Sequence, residues 1–184
     1  MKKYILLISV SLAICLLLPL SVIGQNNVTS RLRVVSGGTV SFIFNSLTKY
    51  KTGLILTDWT RLHVYFNDTI SWGVANNLGN GWQLVVRADD IGVIADGGAP
   101  ALALSSIILT ASASGGFTGT LAPPVTLSNA DQLLVSDINK VNVNEEIVIS
   151  YEIGTTNNPP ISPYLGKPAD YYTVNLVFTL EPLP

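Results

Sequence analysis

Apolar and polar residues alternate with a period of two along much of this 184-residue chain. That alternation is what a strand with one buried face requires. The clearest run is 171–180, where Tyr172, Val174, Leu176, Phe178 and Leu180 share one face and Thr173, Asn175, Val177 and Thr179 the other. It predicts one long terminal strand that closes a sheet assembled from everything before it. Val40, Phe42 and Phe44 alternate with Ser41, Ile43 and Asn45, and Leu62, Val64 and Phe66 alternate with His63, Tyr65 and Asn67. Ile147, Ile149, Tyr151 and Ile153 run against Val148, Ser150 and Glu152 in the same way. Trp82, Leu84 and Val86 share a face in a strand that starts directly from Gly81.

Shorter signals fill the rest. Residues 31–35 predict a strand ended by Gly37-Gly38, 54–56 form a brief apolar run, and 107–109 have the composition of a central strand. Residues 117–121 and 125–127 flank Pro123-Pro124, and prolines confine that part of a sheet to an edge or a connection. The glycine-rich segment 89–100 and the proline-rich segment 154–170 predict loops. Ser128 with Asp131 three residues on is a passable helix start, so 129–139 reads as one or two helical turns or, through Leu133-Leu134-Val135, as a strand. About ten short strands at turn-punctuated spacing, without strand–helix–strand alternation, predict an all-β fold: a single antiparallel β-sandwich. No internal repeat or linker divides residues 25–184.

The first 24 residues stand apart. Met1-Lys2-Lys3 precedes an apolar run, Pro19 interrupts it, and Val22 and Gly24 occupy the positions before a cut. This predicts a signal peptide, residues 1–24, leaving Gln25 first in the exported chain. An uncleaved anchor is the alternative; lipidation at Cys15 is disfavoured by the bulky Ile14 before it. Cleavage removes the only cysteine, the only methionine and two of the ten Lys and Arg residues. Eight basic residues then stand against twelve acidic ones, a formal charge of −4. A chain of this size without cysteine relies on its own core rather than on disulfides. Mild acidity without a basic cluster argues against nucleic acid and against an anionic membrane surface as partners.

Candidate chemistry is sparse. His63, the only histidine, lies between Leu62 and Val64 in a strand, and no Gly-x-Ser-x-Gly elbow accompanies it. One histidine and no cysteine after cleavage make zinc an unsuitable metal, and no cofactor is expected. Asp89, Asp90 and Asp96 offer hard oxygen ligands of the kind calcium takes, but their spacing follows no EF-hand register and solvated loop acids are the preferred reading. Trp59, Trp72 and Tyr164 lie near predicted loops and are the aromatic candidates for a binding surface, whereas Trp82 is in phase with Leu84 and Val86 and reads as core.

Two segments together resemble the WxL domain of bacterial surface proteins. In that family a Trp-x-Leu strand lies midway, and a second Trp-x-Leu lies in a C-terminal strand preceded by tyrosine and followed by proline. Trp82 and Leu84 match the first. Leu180 matches the second, with Tyr172 before it, Pro182 after it, and Phe178 where the family has tryptophan. The resemblance covers about residues 79–184. It implies a secreted domain held non-covalently on the cell surface through peptidoglycan, often within multiprotein assemblies. The expected role is therefore a non-enzymatic one, binding a cell-wall or surface polysaccharide or other surface proteins. A strong terminal strand also suits the alternative, a pilus- or fimbria-like filament subunit that assembles by strand addition.

Overall fold

The computed structural model describes residues 28–68, 81–139, 141–155 and 170–183. Residues 1–24, which carry the expected signal peptide, and two of the aromatic candidates, Trp72 and Tyr164, lie outside the described residues. The fold is an all-β antiparallel sandwich, with twelve strands in three sheets among the described residues.

The strands are β1 (Val28–Ser36), β2 (Val40–Phe44), β3 (Leu54–Asp68), β4 (Trp82–Ala88), β5 (Ile94–Ala95) and β6 (Ile107–Ala113), then β7 (Thr120–Leu121), β8 (Val125–Thr126), β9 (Gln132–Asp137), β10 (Val143–Ile153), β11 (Asp170–Val174) and β12 (Leu176–Pro182). The largest sheet has the order β1-β3-β10-β6-β8; the others are β2-β11-β5 and β12-β4-β9-β7. Because β11 runs into β12 after one residue, the two smaller sheets are joined end to end along one segment. One core unites all three sheets: Leu62, Phe66 and Tyr151 from the first, Phe42, Phe44 and Tyr172 from the second, Trp82 and Leu84 from the third. Each such side chain contributes roughly 1.5–3 kcal/mol by leaving water. The phases read from Val40, Leu62, Trp82 and Ile147 are all observed, with these faces buried.

Several expectations need correction. The predicted terminal strand is two strands in two sheets, broken at Asn175. The backbone of Asn175 is taken by the loop beside it rather than by a ladder: its carbonyl accepts the Asp89 N–H at 3.0 Å, and its N–H donates to the Asp90 carboxylate at 2.8 Å. Tyr172 and Val174 are buried, but Leu176, Phe178 and Leu180 are only half-buried. The terminal segment does not close a sheet either, since β11 is the middle strand of one and β12 an edge of another. The runs 54–56 and 61–67 belong to one strand of 15 residues. Segment 89–100 contains β5 rather than loop alone, and the ambiguous 129–139 contributes β9, a strand. A short helix, α1 (Leu47–Thr52), was not anticipated. It buries no residue, so no apolar stripe announces it, and it is bounded by Ser46, whose hydroxyl accepts the Lys49 N–H, and by Gly53 at φ +79°. The two-residue strands β7 and β8, on either side of Pro123-Pro124, are edge strands as expected.

Candidate functional site

The site builds from β1. Its nine residues pair with β3 in register from Val28 opposite Asp68 to Val34 opposite Leu62. Directly opposite residues share a face, so Val28, Ser30, Leu32 and Val34 lie on the side from which Phe66, Val64 and Leu62 enter the core. Yet Val28 is 41% and Val34 48% exposed, and Leu32 is the one residue of β1 that is even half-buried. Among the described residues only Leu32 of β1 packs against the core, while Val34 meets Leu176 and Phe178 of β12 across a cleft. Among the described residues β1 pairs on one side only, leaving a free row of backbone groups along the other.

Two irregularities converge at the end of β1. The register slips at Val35, and across β3 the ladder jumps from Ile149 opposite Thr60 to Tyr151 opposite Leu56. The surplus residues bulge out, with Asp58 at φ +50° and its N–H donating to the Ser150 hydroxyl at 2.9 Å. The bulge presents Trp59 to solvent, 42% exposed, while its indole N–H donates to the Thr39 carbonyl at 2.9 Å. Val35, 49% exposed, adds to the same apolar surface. Between β1 and β2 the chain turns through Gly37 at φ +68°, where a Cβ would lie 2.1 Å from the Trp59 carbonyl oxygen. This turn moves the chain from the five-stranded sheet to the three-stranded one.

Beneath the turn lies a buried relay. The Tyr151 hydroxyl donates to Thr60 Oγ1 at 2.8 Å, and Thr60 Oγ1 donates to the Gly37 carbonyl at 2.7 Å. Burial pushes the Tyr151 phenol far up from its ordinary range, only partly offset by the Thr60 contact, so it stays a neutral donor. The relay forms the floor of a cleft walled by Val34, Val40, Leu176 and Phe178 between the edge strands β1 and β12. Its volume is about 50 Å³. That is water-sized, well below the roughly 300 Å³ at which small-molecule pockets begin. The flank is suited to surface contact rather than to enclosing a ligand.

The other sequence candidates fall elsewhere. Trp82 and Leu84 are fully buried in β4, and Phe178 and Leu180 lie on its neighbour β12. Leu180 is directly opposite Leu84, but Phe178 faces Val86 and Trp82 faces Pro182. Trp82 and Phe178 are therefore offset by four positions, roughly 13 Å along the strands. The ring beside Trp82 is Phe117, at 6.3 Å between centroids, and the aromatic positions of the two motif segments, Trp82 and Phe178, do not face each other. The indole N–H of Trp82 is buried without a partner. His63 is half-buried between Arg33 and Glu146 in the ladder. Asp90 is engaged with Asn175, and no group of three or more His, Cys, Asp or Glu residues suited to a metal occurs among the described residues. Sequence reasoning singled out Trp59, which is exposed beside the Gly37-Gly38 turn, but not Thr60, Tyr151 or the exposure of β1, because a strand's pattern does not reveal how far the facing layer extends.

Comparison with protein-family models, with curated proteins and with solved structures gives no match for this chain.

Proposed function

We propose that this chain is an exported, non-enzymatic cell-surface domain of WxL-like kind that holds a wall or surface polymer, or a neighbouring surface protein, against its open flank. Export rests on the leader pattern of residues 1–24, and the WxL-like reading rests on the two motif segments. The observation that carries the contact surface is β1 and its end: a nine-residue strand exposed everywhere but at Leu32, with its Val35 and the neighbouring Trp59 exposed beside a turn hydrogen-bonded from below. Apolar groups fixed in place and left in water gain most when a partner covers them.

The test is a pull-down of the purified protein with insoluble cell-wall material and with solubilised surface proteins, comparing wild type with Trp59→Ala and Val35→Thr. Saturable capture that weakens in both variants, at an unchanged unfolding midpoint, supports the flank. Capture indifferent to both variants overturns it. A second reading, the filament subunit, is favoured by β1 and β12 each pairing on one side only among the described residues, since strand addition uses such an edge. It predicts concentration-dependent ladders that survive detergent, which a binding domain does not form.

A further inference from the structure

We infer that the polymer held by this chain is an acidic polysaccharide, seated on the outward face of the five-stranded sheet around Arg31 and Arg33. The inference rests on the reading of the chain as a holder of surface polymer and adds the chemistry of what is held. No basic cluster shows along the sequence, but the ladder assembles one. Directly opposite residues share a face, so Arg31, Tyr65 and Asn144 form one row across β1, β3 and β10, and Arg33, His63 and Glu146 form the next. Arg61 follows on β3, opposite Val148. Rows lie roughly 7 Å apart and neighbouring strands about 5 Å apart, so the three arginines share one small patch. Three arginines against one glutamate leave that patch at +2, in a chain whose formal charge is −2.

What the patch offers decides what it can hold. The acid within these rows, Glu146, is already engaged by Arg61 Nη1 at 2.9 Å. The other acids of these strands stand apart: Asp68 and Glu145 are on the core side, and Asp58 and Glu152 lie at or beyond the bulge. Arg31, Arg33, His63, Tyr65 and Asn144 make no side-chain hydrogen bond or ion pair among the described residues. Each of those five side chains carries a donor, and Arg31 and Arg33 are exposed. Donors and positive charge, with the one carboxylate already engaged, complement a ligand rich in acceptors and negative charge. The half-buried ring of Tyr65, between Arg31 and Asn144, gives a sugar an apolar face beside a phenol and an amide for its hydroxyls. A chain of sugars laid along β1 brings its acid groups over Arg31 and Arg33. Nucleic acid is served less well, because it asks for many phosphate contacts and for exposed rings on which bases stack.

Binding of the purified protein to immobilised polygalacturonate, a polymer of sugar acids, tests this. Dextran serves as the neutral polymer and single-stranded DNA as the polyanion without sugar acids. Wild type is expected to be retained by polygalacturonate, more weakly in high salt, and not by dextran. Arg31→Gln with Arg33→Gln is expected to weaken retention by about tenfold or more. Glu146→Gln, which removes the acid and releases Arg61, is expected to strengthen it, a gain that failed folding cannot produce. Far-UV circular dichroism of the arginine variant separates weakened binding from failed folding. A wild type that is not retained, equal retention on dextran, or DNA bound as tightly as polygalacturonate overturns the inference. So does an arginine variant retained like wild type, or Glu146→Gln without a gain. Wall material captured through Trp59 and Val35 but indifferent to both arginines overturns the acidic ligand and leaves the flank reading standing.

Discussion

Replacing Thr60 with valine isolates the relay that holds the Gly37 turn. Valine keeps the shape and suits a strand, but it removes an acceptor from the Tyr151 hydroxyl and a donor from the Gly37 carbonyl in one step. Thr60 is 1% and Tyr151 0% exposed, so what is lost can be replaced only by a water entering the small cleft above them. Each buried polar group left without a partner costs roughly 1–3 kcal/mol, which puts Thr60→Val, with two such groups, at about 2–6 kcal/mol. Tyr151→Phe is gentler: it loses one hydrogen bond, about 1 kcal/mol, while Thr60 still donates to Gly37. The two changes do not add. In the Thr60→Val background, Tyr151→Phe deletes an orphaned hydroxyl, so the double variant is expected to be more stable than Thr60→Val alone. Urea unfolding of the four proteins at neutral pH measures this, with a midpoint change of about 1 M for 2 kcal/mol. Strict additivity, with Tyr151→Phe destabilising both backgrounds equally, would refute the relay.

Gly37→Ala is expected to cost at least about 2 kcal/mol, because φ +68° disfavours a side chain and the new Cβ meets the Trp59 carbonyl; Gly38→Ala, whose Cβ meets nothing closer than 3.9 Å, serves as the tolerant control in thermal unfolding. The Asp170 carboxylate is held below its ordinary pKa by the backbone N–H of Gly97, supported by those of Tyr171 and Ala99 and opposed by burial. A lowered folded-state pKa stabilises at pH above the unfolded value and stops doing so as pH falls through the folded one. The stability difference between wild type and Asp170→Asn should therefore be constant near neutrality and shrink below about pH 4, as acid titration of the unfolding midpoint will reveal. Trp82→Phe removes a buried N–H that has no partner and is expected to cost far less than Trp82→Ala, for which about 3–5 kcal/mol is the usual range. Comparable losses in the two variants would mean that the indole N–H is satisfied after all.

Period-two patterning made the all-β class and the buried faces of β2, β3, β4 and β10 legible, because each inward residue there is apolar and each core strand has a layer opposite it. The same pattern misled at 171–180, where the alternation runs unbroken through Asn175 although the chain changes sheets. What breaks the strand is the loop bearing Asp89 and Asp90, more than 80 positions away in sequence, which captures both backbone groups of Asn175. Helix α1 was illegible for the opposite reason, since it buries nothing and has no pattern to show. Trp59 was legible as a candidate from its place near a turn, whereas its exposure depends on a bulge that only the β10 register reveals.

By itself, then, the sequence determined the class of fold, the side chains that fill its core, the leader pattern and the resemblance to surface domains. These follow from local periodicity and composition, which every strand carries within its own few residues. Tertiary structure alone decided that β1 stays exposed except at Leu32, that Thr60 and Tyr151 meet beneath Gly37, and that β1 and β12 line one cleft. Those facts depend on where two sheets end relative to each other, a distance set by the packing of strands far apart in the chain.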